Sequence, residues 1–248
     1  MYKKFLKTEC FGLPLWPKAK FMSQTHTIAP FKAILFDFDG TLVDSEKIHF
    51  DAWNEVLKDY GLAVDYNSYL KKFAGIPTIL NAERLIEENK LDISVEEIVE
   101  KGKEIFREHI GTKDPEFMPH ALETLRFFYK KRLPMALVTG SPREQVDPIL
   151  KNKDLEKFFR TTITYDDVAN SKPDPEGYLK AAAFLGFSKE EYLVFEDTAT
   201  GTKAAKAAGL TCYAIQTEAG IHQNLSHADR IFLNLSKALE FLNKKELI

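Results

Sequence analysis

The sequence predicts an α/β protein, a parallel sheet with helices on both faces and a purely helical block set into it. Three observations carry this. Short apolar runs alternate with amphipathic helical segments from Phe31 onward, the pattern of a parallel sheet with crossover helices. Glycines stand where the helical periodicity stops. Between the first two strands lies a stretch far too long for an ordinary crossover.

The first strand is predicted over 33–38, where Ala33-Ile34-Leu35-Phe36 is a continuous apolar run of the kind a buried strand shows. Asp37-Phe38-Asp39-Gly40-Thr41-Leu42 follows, and its glycine and threonine turn the chain. Asp44 or Ser45 can cap a helix running to Tyr60, with Gly61 after it. A second helix is expected over 76–89. Ser94-Val95-Glu96-Glu97 has the form of a capping box and opens a third, to about residue 110. No strand is expected between 45 and 112. A helix over 119–131 precedes a strand over 134–139, which tolerates Pro134 at its first position. A weaker strand is expected over 161–164. A helix over 175–185 stops at Gly186, and another over 199–208 stops at Gly209. Strands over 192–196, 211–215 and 230–232 complete a Rossmann-like sheet. The expected organisation is an extension over 1–30, an α/β core over 31–44 and 113–248, and an inserted helical domain over 45–112.

At 248 residues the chain can bury one large core and a smaller inserted one. Its net charge of -3 gives no basic field for nucleic acid or a membrane surface, and no apolar run reaches the length of a membrane span. Cys10 and Cys212 form no CxxC pair and have no histidine cluster beside them. That usage fits a reducing cytoplasm, and a cytoplasmic monomer is expected. Residues 1–30 carry five lysines with Glu9 the only acid. They lack the apolar stretch of a secretory signal; the composition fits a flexible extension, with Met22 as an alternative start, or a transit peptide.

The chemistry lies where the strands end. Asp37 and Asp39 follow the first strand, Thr139-Gly140-Ser141 the second, and Glu196-Asp197 the strand over 192–196. Ser171-Lys172-Pro173-Asp174-Pro175 lies between them. Open α/β sheets bind ligands outside the carboxyl ends of their strands, so these groups converge on one rim. Several carboxylates there require a cation, and oxygen-only ligation without histidine favours Mg²⁺.

These four segments, in this order, resemble the haloacid dehalogenase-like superfamily of aspartate-dependent phosphoryl-transfer enzymes, in its branch of β-phosphoglucomutase-like proteins and phosphatases. The resemblance implies Asp37 as nucleophile and Asp39 as general acid and base. It implies Mg²⁺ held by the Asp37 carboxylate, the Asp39 carbonyl and Asp197, with Glu196 a further ligand or an outer acceptor. Thr139 would donate to a phosphoryl oxygen, with help from backbone N–H groups of the turns around Phe38 and Gly140, Ser141 would join Gly140 in binding substrate, and Lys172 would neutralise charge. Threonine also suits a strand end, and Lys172 could be a solvated lysine. The helical block corresponds to the family's small cap. His49 could face Asp39 or the substrate, or pack beside Trp53. Lys72 could face the phosphate or simply be solvated, and Arg143 could bind a second anion. Gly75 marks the cap loop, where the mutase branch carries an arginine three residues on. Here Thr78 stands in its place.

The missing cap cation favours a phosphatase acting on a small phosphate ester, a sugar or polyol phosphate, over a sugar phosphomutase. A dehalogenase is disfavoured by the second aspartate. A non-catalytic binding protein on the same fold is disfavoured by the complete set Asp37, Asp39, Lys172 and Asp197.

Overall fold

A computed structural model of the chain describes residues 30–73, 78–112, 114–217, 221 and 223–248. The expected extension over 1–30, apart from Pro30, and Gly75 of the cap loop lie outside the described residues. In chain order the elements are β1 (Ala33–Phe36), β2 (Val43–Asp44), α1 (Glu46–Lys58), α2 (Tyr66–Lys72), α3 (Thr78–Asn89), α4 (Val95–Thr112), β3 (Glu116–Phe117), α5 (Ala121–Lys130) and β4 (Met135–Val138). There follow α6 (Arg143–Asn152), β5 (Phe159–Ile163), α7 (Glu176–Leu185), β6 (Tyr192–Glu196), α8 (Ala199–Ala207), β7 (Thr211–Ile215), β8 (Arg230–Phe232) and α9 (Leu235–Lys244).

Six strands form one sheet in the order β5-β4-β1-β6-β7-β8, and every pairing in it is parallel. Alternate residues of each strand face opposite sides, so the core divides in two. Ile34, Phe36, Leu137 and Phe195 pack with Leu125 and Phe128 of α5, Ile149 of α6 and Leu242 of α9. Ala33, Leu35, Ala136 and Val194 pack with Tyr178 and Ala181 of α7 and Ala204 and Ala205 of α8. Chain order reverses beside β1. The register Phe36↔Leu137 and Phe36↔Phe195 brings the ends of β1, β4 and β6 to one level.

The helical block has a core of its own, in which Trp53, Val56 and Leu57 meet Tyr69, Leu85 and Ile98. It leaves and re-enters the sheet through a two-stranded antiparallel ribbon, β2 with β3. The sequence pattern did not foresee this ribbon, because two residues on each side carry no periodicity. It also missed α2, α6 and α9. Pro142 and Pro148 obscure α6: Pro142 precedes the first turn, and Pro148 sits inside the helix. Strand β1 ends two residues short of the predicted 38, so Asp37 and Phe38 already lie beyond it. Thr198 caps α8, its hydroxyl accepting from the Gly201 N–H at 3.0 Å. Ser45 precedes α1 without a side-chain cap bond. No helix of the described residues is long and apolar enough to cross a membrane.

Candidate active site

Asp37 is the first residue beyond β1. Its N–H donates to the Phe195 carbonyl at 2.9 Å, which pins it beside the end of β6. The residue is 6 % exposed. Its Oδ1 accepts from the Lys172 ammonium at 2.6 Å, whereas Oδ2 is buried without a partner. Burial and the neighbouring Glu196 charge push the Asp37 carboxyl up to about 7, against the pull of Lys172. Burial, then the Asp37 and Glu196 charges, also hold Asp197 well above the usual carboxylate range.

Lys172 reaches this rim from the loop before α7. Its ammonium has three hydrogens and three acceptors: Asp37 Oδ1 at 2.6 Å, Glu196 Oε1 at 2.6 Å and the Val138 carbonyl at 2.9 Å. These carboxylates outweigh the cost of burial and raise the lysine above its ordinary value. A permanent ammonium is thereby fixed at the strand ends.

Glu196 is fully buried. Its Oε1 accepts from Lys172 and from the Tyr178 hydroxyl at 2.7 Å. Its Oε2 accepts from the Asp197 N–H at 3.1 Å and from the Thr198 N–H and hydroxyl at 3.3 and 3.1 Å. The backbone of Gly201 passes so close that a Cβ there would lie 1.8 Å from Glu196 Oε1. Asp197 has fewer partners, with the Thr41 hydroxyl donating to its Oδ1 at 3.4 Å. Gly40 backs onto it with φ +80°, and a Cβ would come within 2.1 Å of Asp197 Oδ2. Both glycines are demanded by these close approaches.

Asp37, Glu196 and Asp197 place carboxylate oxygens within 4.8 Å of one another. The unpartnered Asp37 Oδ2 and the hard, oxygen-only donor set fit a divalent cation of the Mg²⁺ type. Glu196, with both oxygens already engaged, is the least available of the three.

Asp39 faces the other way. Its Oδ2 accepts from the Ser141 hydroxyl at 2.6 Å and from the Thr139 hydroxyl at 3.3 Å. The Ser141 N–H donates in turn to Thr139 Oγ1 at 3.0 Å. Thr139 is held at the end of β4 by its own N–H, which donates to the Ile163 carbonyl at 2.9 Å.

A cleft of about 700 Å³ opens between the helical block and the core. Gly140 and Ser141 line it from the core, and His49, Trp53 and Phe106 from the helices. The His49 ring stacks on Phe106 at 4.1 Å between centroids, so packing and a place in the cleft go together. Lys72 lies exposed at the end of α2. Arg143, which could bind a second anion, pairs with Asp167 at 2.5 Å and Asp147 at 3.4 Å. The reason is local: Asp167 also accepts from the Thr164 N–H and hydroxyl, closing a capping box that orients it toward the arginine. Two cleft cations escaped the sequence reading, Lys103 and Arg107 of α4. Both are paired, Lys103 with Glu100 at 3.5 Å and Arg107 with Glu144 at 3.0 Å. Tyr178 was missed as well. Its only signal was its place on α7, six residues beyond Lys172.

Strand-end aspartates, a fixed lysine and a buried acid pair thus meet at one rim of the sheet. The chain belongs to the haloacid dehalogenase-like hydrolases, whose family model matches residues 34–215. It is a phosphatase of that family, a phosphoric monoester hydrolase. It is 33% identical over 183 residues to a phosphorylated carbohydrates phosphatase of Thermotoga maritima, covering 72% of this chain and 82% of that protein. It is 32% identical over 180 residues to a fructose-1-phosphate phosphatase of Escherichia coli, covering 73% and 94%. Among solved structures, a haloacid dehalogenase family hydrolase of Deinococcus radiodurans with bound phosphate and sodium is 26% identical, with a TM-score of 0.73 over 89% of this chain and 98% of that one.

Proposed function

We propose that the chain is a Mg²⁺-dependent phosphatase of a small phosphorylated metabolite, a sugar or polyol phosphate, acting through an aspartyl-phosphate on Asp37. The observation that carries this reading is the division of Asp37: one oxygen held by Lys172, the other buried and unpartnered. The free oxygen attacks phosphorus in line. A new O–P bond forms as the ester P–O bond breaks, and Asp39 gives its proton to the departing oxygen. Water then attacks phosphorus and yields its proton to Asp39. The bond to Asp37 breaks, and inorganic phosphate leaves.

Thr139 and the N–H groups near Gly140 and Ser141 hold the phosphoryl oxygens, and Lys172 counters their charge. Asp37, Asp197 and the Asp39 carbonyl would hold Mg²⁺, which would supply positive charge to offset repulsion between carboxylate and phosphoryl group. Glu196 backs this set as an outer acceptor. The helical block over 45–112 acts as a cap that excludes water from the aspartyl-phosphate. His49 faces the leaving group from the cap. The phosphatase and fructose-1-phosphate phosphatase relatives support the substrate class. The chain acts in the cytoplasm, as a monomer, without nucleic acid or membrane.

A phosphomutase would also hold the far phosphate of a bisphosphorylated intermediate. The cleft cations Lys103 and Arg107, and Arg143 beside it, are all ion-paired, which favours hydrolysis. The test is release of inorganic phosphate from a panel of sugar and polyol phosphates, with Mg²⁺ or with chelator. Turnover by wild type in Mg²⁺ alone, and none by Asp37→Asn, is expected. No turnover of any panel member would overturn the proposal. Conversion of β-glucose 1-phosphate with a trace of its bisphosphate to glucose 6-phosphate, without free phosphate, would establish the mutase.

A further inference from the structure

Tyr178 is buried on α7, on the side of the sheet away from the cap. A phenol there needs a hydrogen-bond partner, and most of its surroundings are apolar. The partner it has is Glu196 Oε1, at 2.7 Å, the same oxygen that accepts from Lys172. The ammonium of Lys172 also stands 5.2 Å from the centre of the tyrosine ring, within the range where a cation is attracted to an aromatic face. Burial, then the Glu196 and Asp37 charges, hold the phenol well above its ordinary value, so it is a neutral donor.

The consequence follows from counting charge. Lys172 is shared at equal distance, 2.6 Å, between Asp37 Oδ1 and Glu196 Oε1. A second donor on Glu196 Oε1 weakens that oxygen's hold on the lysine. More of the ammonium's field is then left for Asp37 and for the phosphoryl group it would carry. The ring fixes the ammonium from one side, and the Val138 carbonyl receives its third hydrogen.

We propose that Tyr178 is a positioning residue for phosphoryl transfer: its hydroxyl on Glu196 Oε1 and its ring beneath the ammonium aim Lys172 at Asp37. It touches neither substrate nor the reacting atoms. The inference rests on the aspartyl-phosphate reading above.

The test uses the full chain with Mg²⁺ and two variants. Tyr178→Phe keeps the ring and the volume and loses the donor, whereas Tyr178→Leu loses both. A charge-assisted network of this kind predicts a kcat about tenfold lower for Tyr178→Phe, with KM within about twofold of wild type. Tyr178→Leu falls further. The second readout is titration of beryllium fluoride, a mimic of the aspartyl-phosphate, into Mg²⁺-saturated protein. Its affinity should drop about tenfold in Tyr178→Phe while the affinity for Mg²⁺ alone stays within about twofold. A merely structural tyrosine would lower Tm and weaken both ligands together, and that result overturns the proposal. So does a Tyr178→Phe variant equal to wild type in kcat and in fluoride affinity. If wild type itself neither binds beryllium fluoride nor releases phosphate, it is the aspartyl-phosphate reading that has failed.

Discussion

Replacing Asp37, the proposed nucleophile, should make the metal-free protein more stable. Asp37, Glu196 and Asp197 crowd around one lysine, so ionising Asp37 in the fold is unfavourable. Its carboxyl lies at about 7 instead of 3.8. The native state therefore binds this proton more tightly than the unfolded chain does. Native stability without metal falls as pH rises from about 4, and the loss is complete above about 7. At 1.36 kcal/mol per tenfold, the cost by pH 8 is about 4 kcal/mol. Asparagine keeps the shape and removes the charge; the position of the Asp37 carboxyl already reflects the attraction of Lys172, so the gain at pH 8 is the full cost of about 4 kcal/mol. A gain of about 4 kcal/mol corresponds to a Tm higher by roughly 12 °C in a chain of this size. The assay is thermal unfolding of wild type and Asp37→Asn in chelator from pH 4.5 to 8. The gap should grow with pH and level off above 7. Adding Mg²⁺ should narrow it, because the cation stabilises the wild-type cluster more than the variant. Equal Tm values at pH 8 in chelator, or a gap that widens as pH falls, would refute the reasoning.

Lys172→Met leaves three buried carboxylates without their counter-ion and should cost about 3–5 kcal/mol in chelator, measured by urea unfolding at pH 8. Gly201→Ala should destabilise the protein although alanine normally strengthens a helix by about 1 kcal/mol. The new Cβ would meet Glu196 Oε1 at 1.8 Å, so both Tm and Mg²⁺ affinity should fall. Glu176 is held down to about 2 by Lys180 and by the N–H groups of Asn170 and Ala169. A lowered carboxyl contributes stability above its ordinary value of 4.5 and loses it as pH falls toward 2. Glu176→Gln should speed amide exchange at Ala169 and Asn170 at neutral pH, and the difference from wild type should vanish near pH 2.

Much of the fold was legible because its signals are local. Apolar runs marked β1, β4, β6 and β7 of the sheet, and glycines at 186 and 209 marked where α7 and α8 give way. The elements that escaped carry weak or contradictory local signals. Two prolines sit in or beside α6, and the β2–β3 ribbon is too short to show a period. At the site, Asp37, Asp39, Thr139, Lys172 and Asp197 could be assigned to one rim because each follows a strand or lies in the loop between two. Arg143 illustrates the opposite case. Its position after β4 suggested an anion, but its ion pair with Asp167 depends on how a loop 24 residues away folds against it.

The sequence alone therefore determined the six strands of the sheet, most of the helices between them and the set of groups at the strand ends, since these depend on neighbours along the chain. Only the tertiary structure decided which atoms meet. It brought Ser141 onto Asp39 across 102 residues and Lys172 onto Asp37 across 135. It engaged both oxygens of Glu196, left Asp37 Oδ2 unpartnered, and set Tyr178 behind the lysine. Hydrogen bonds of this reach follow from strand order and side-chain direction in a packed core. A linear pattern of apolar and polar residues encodes neither.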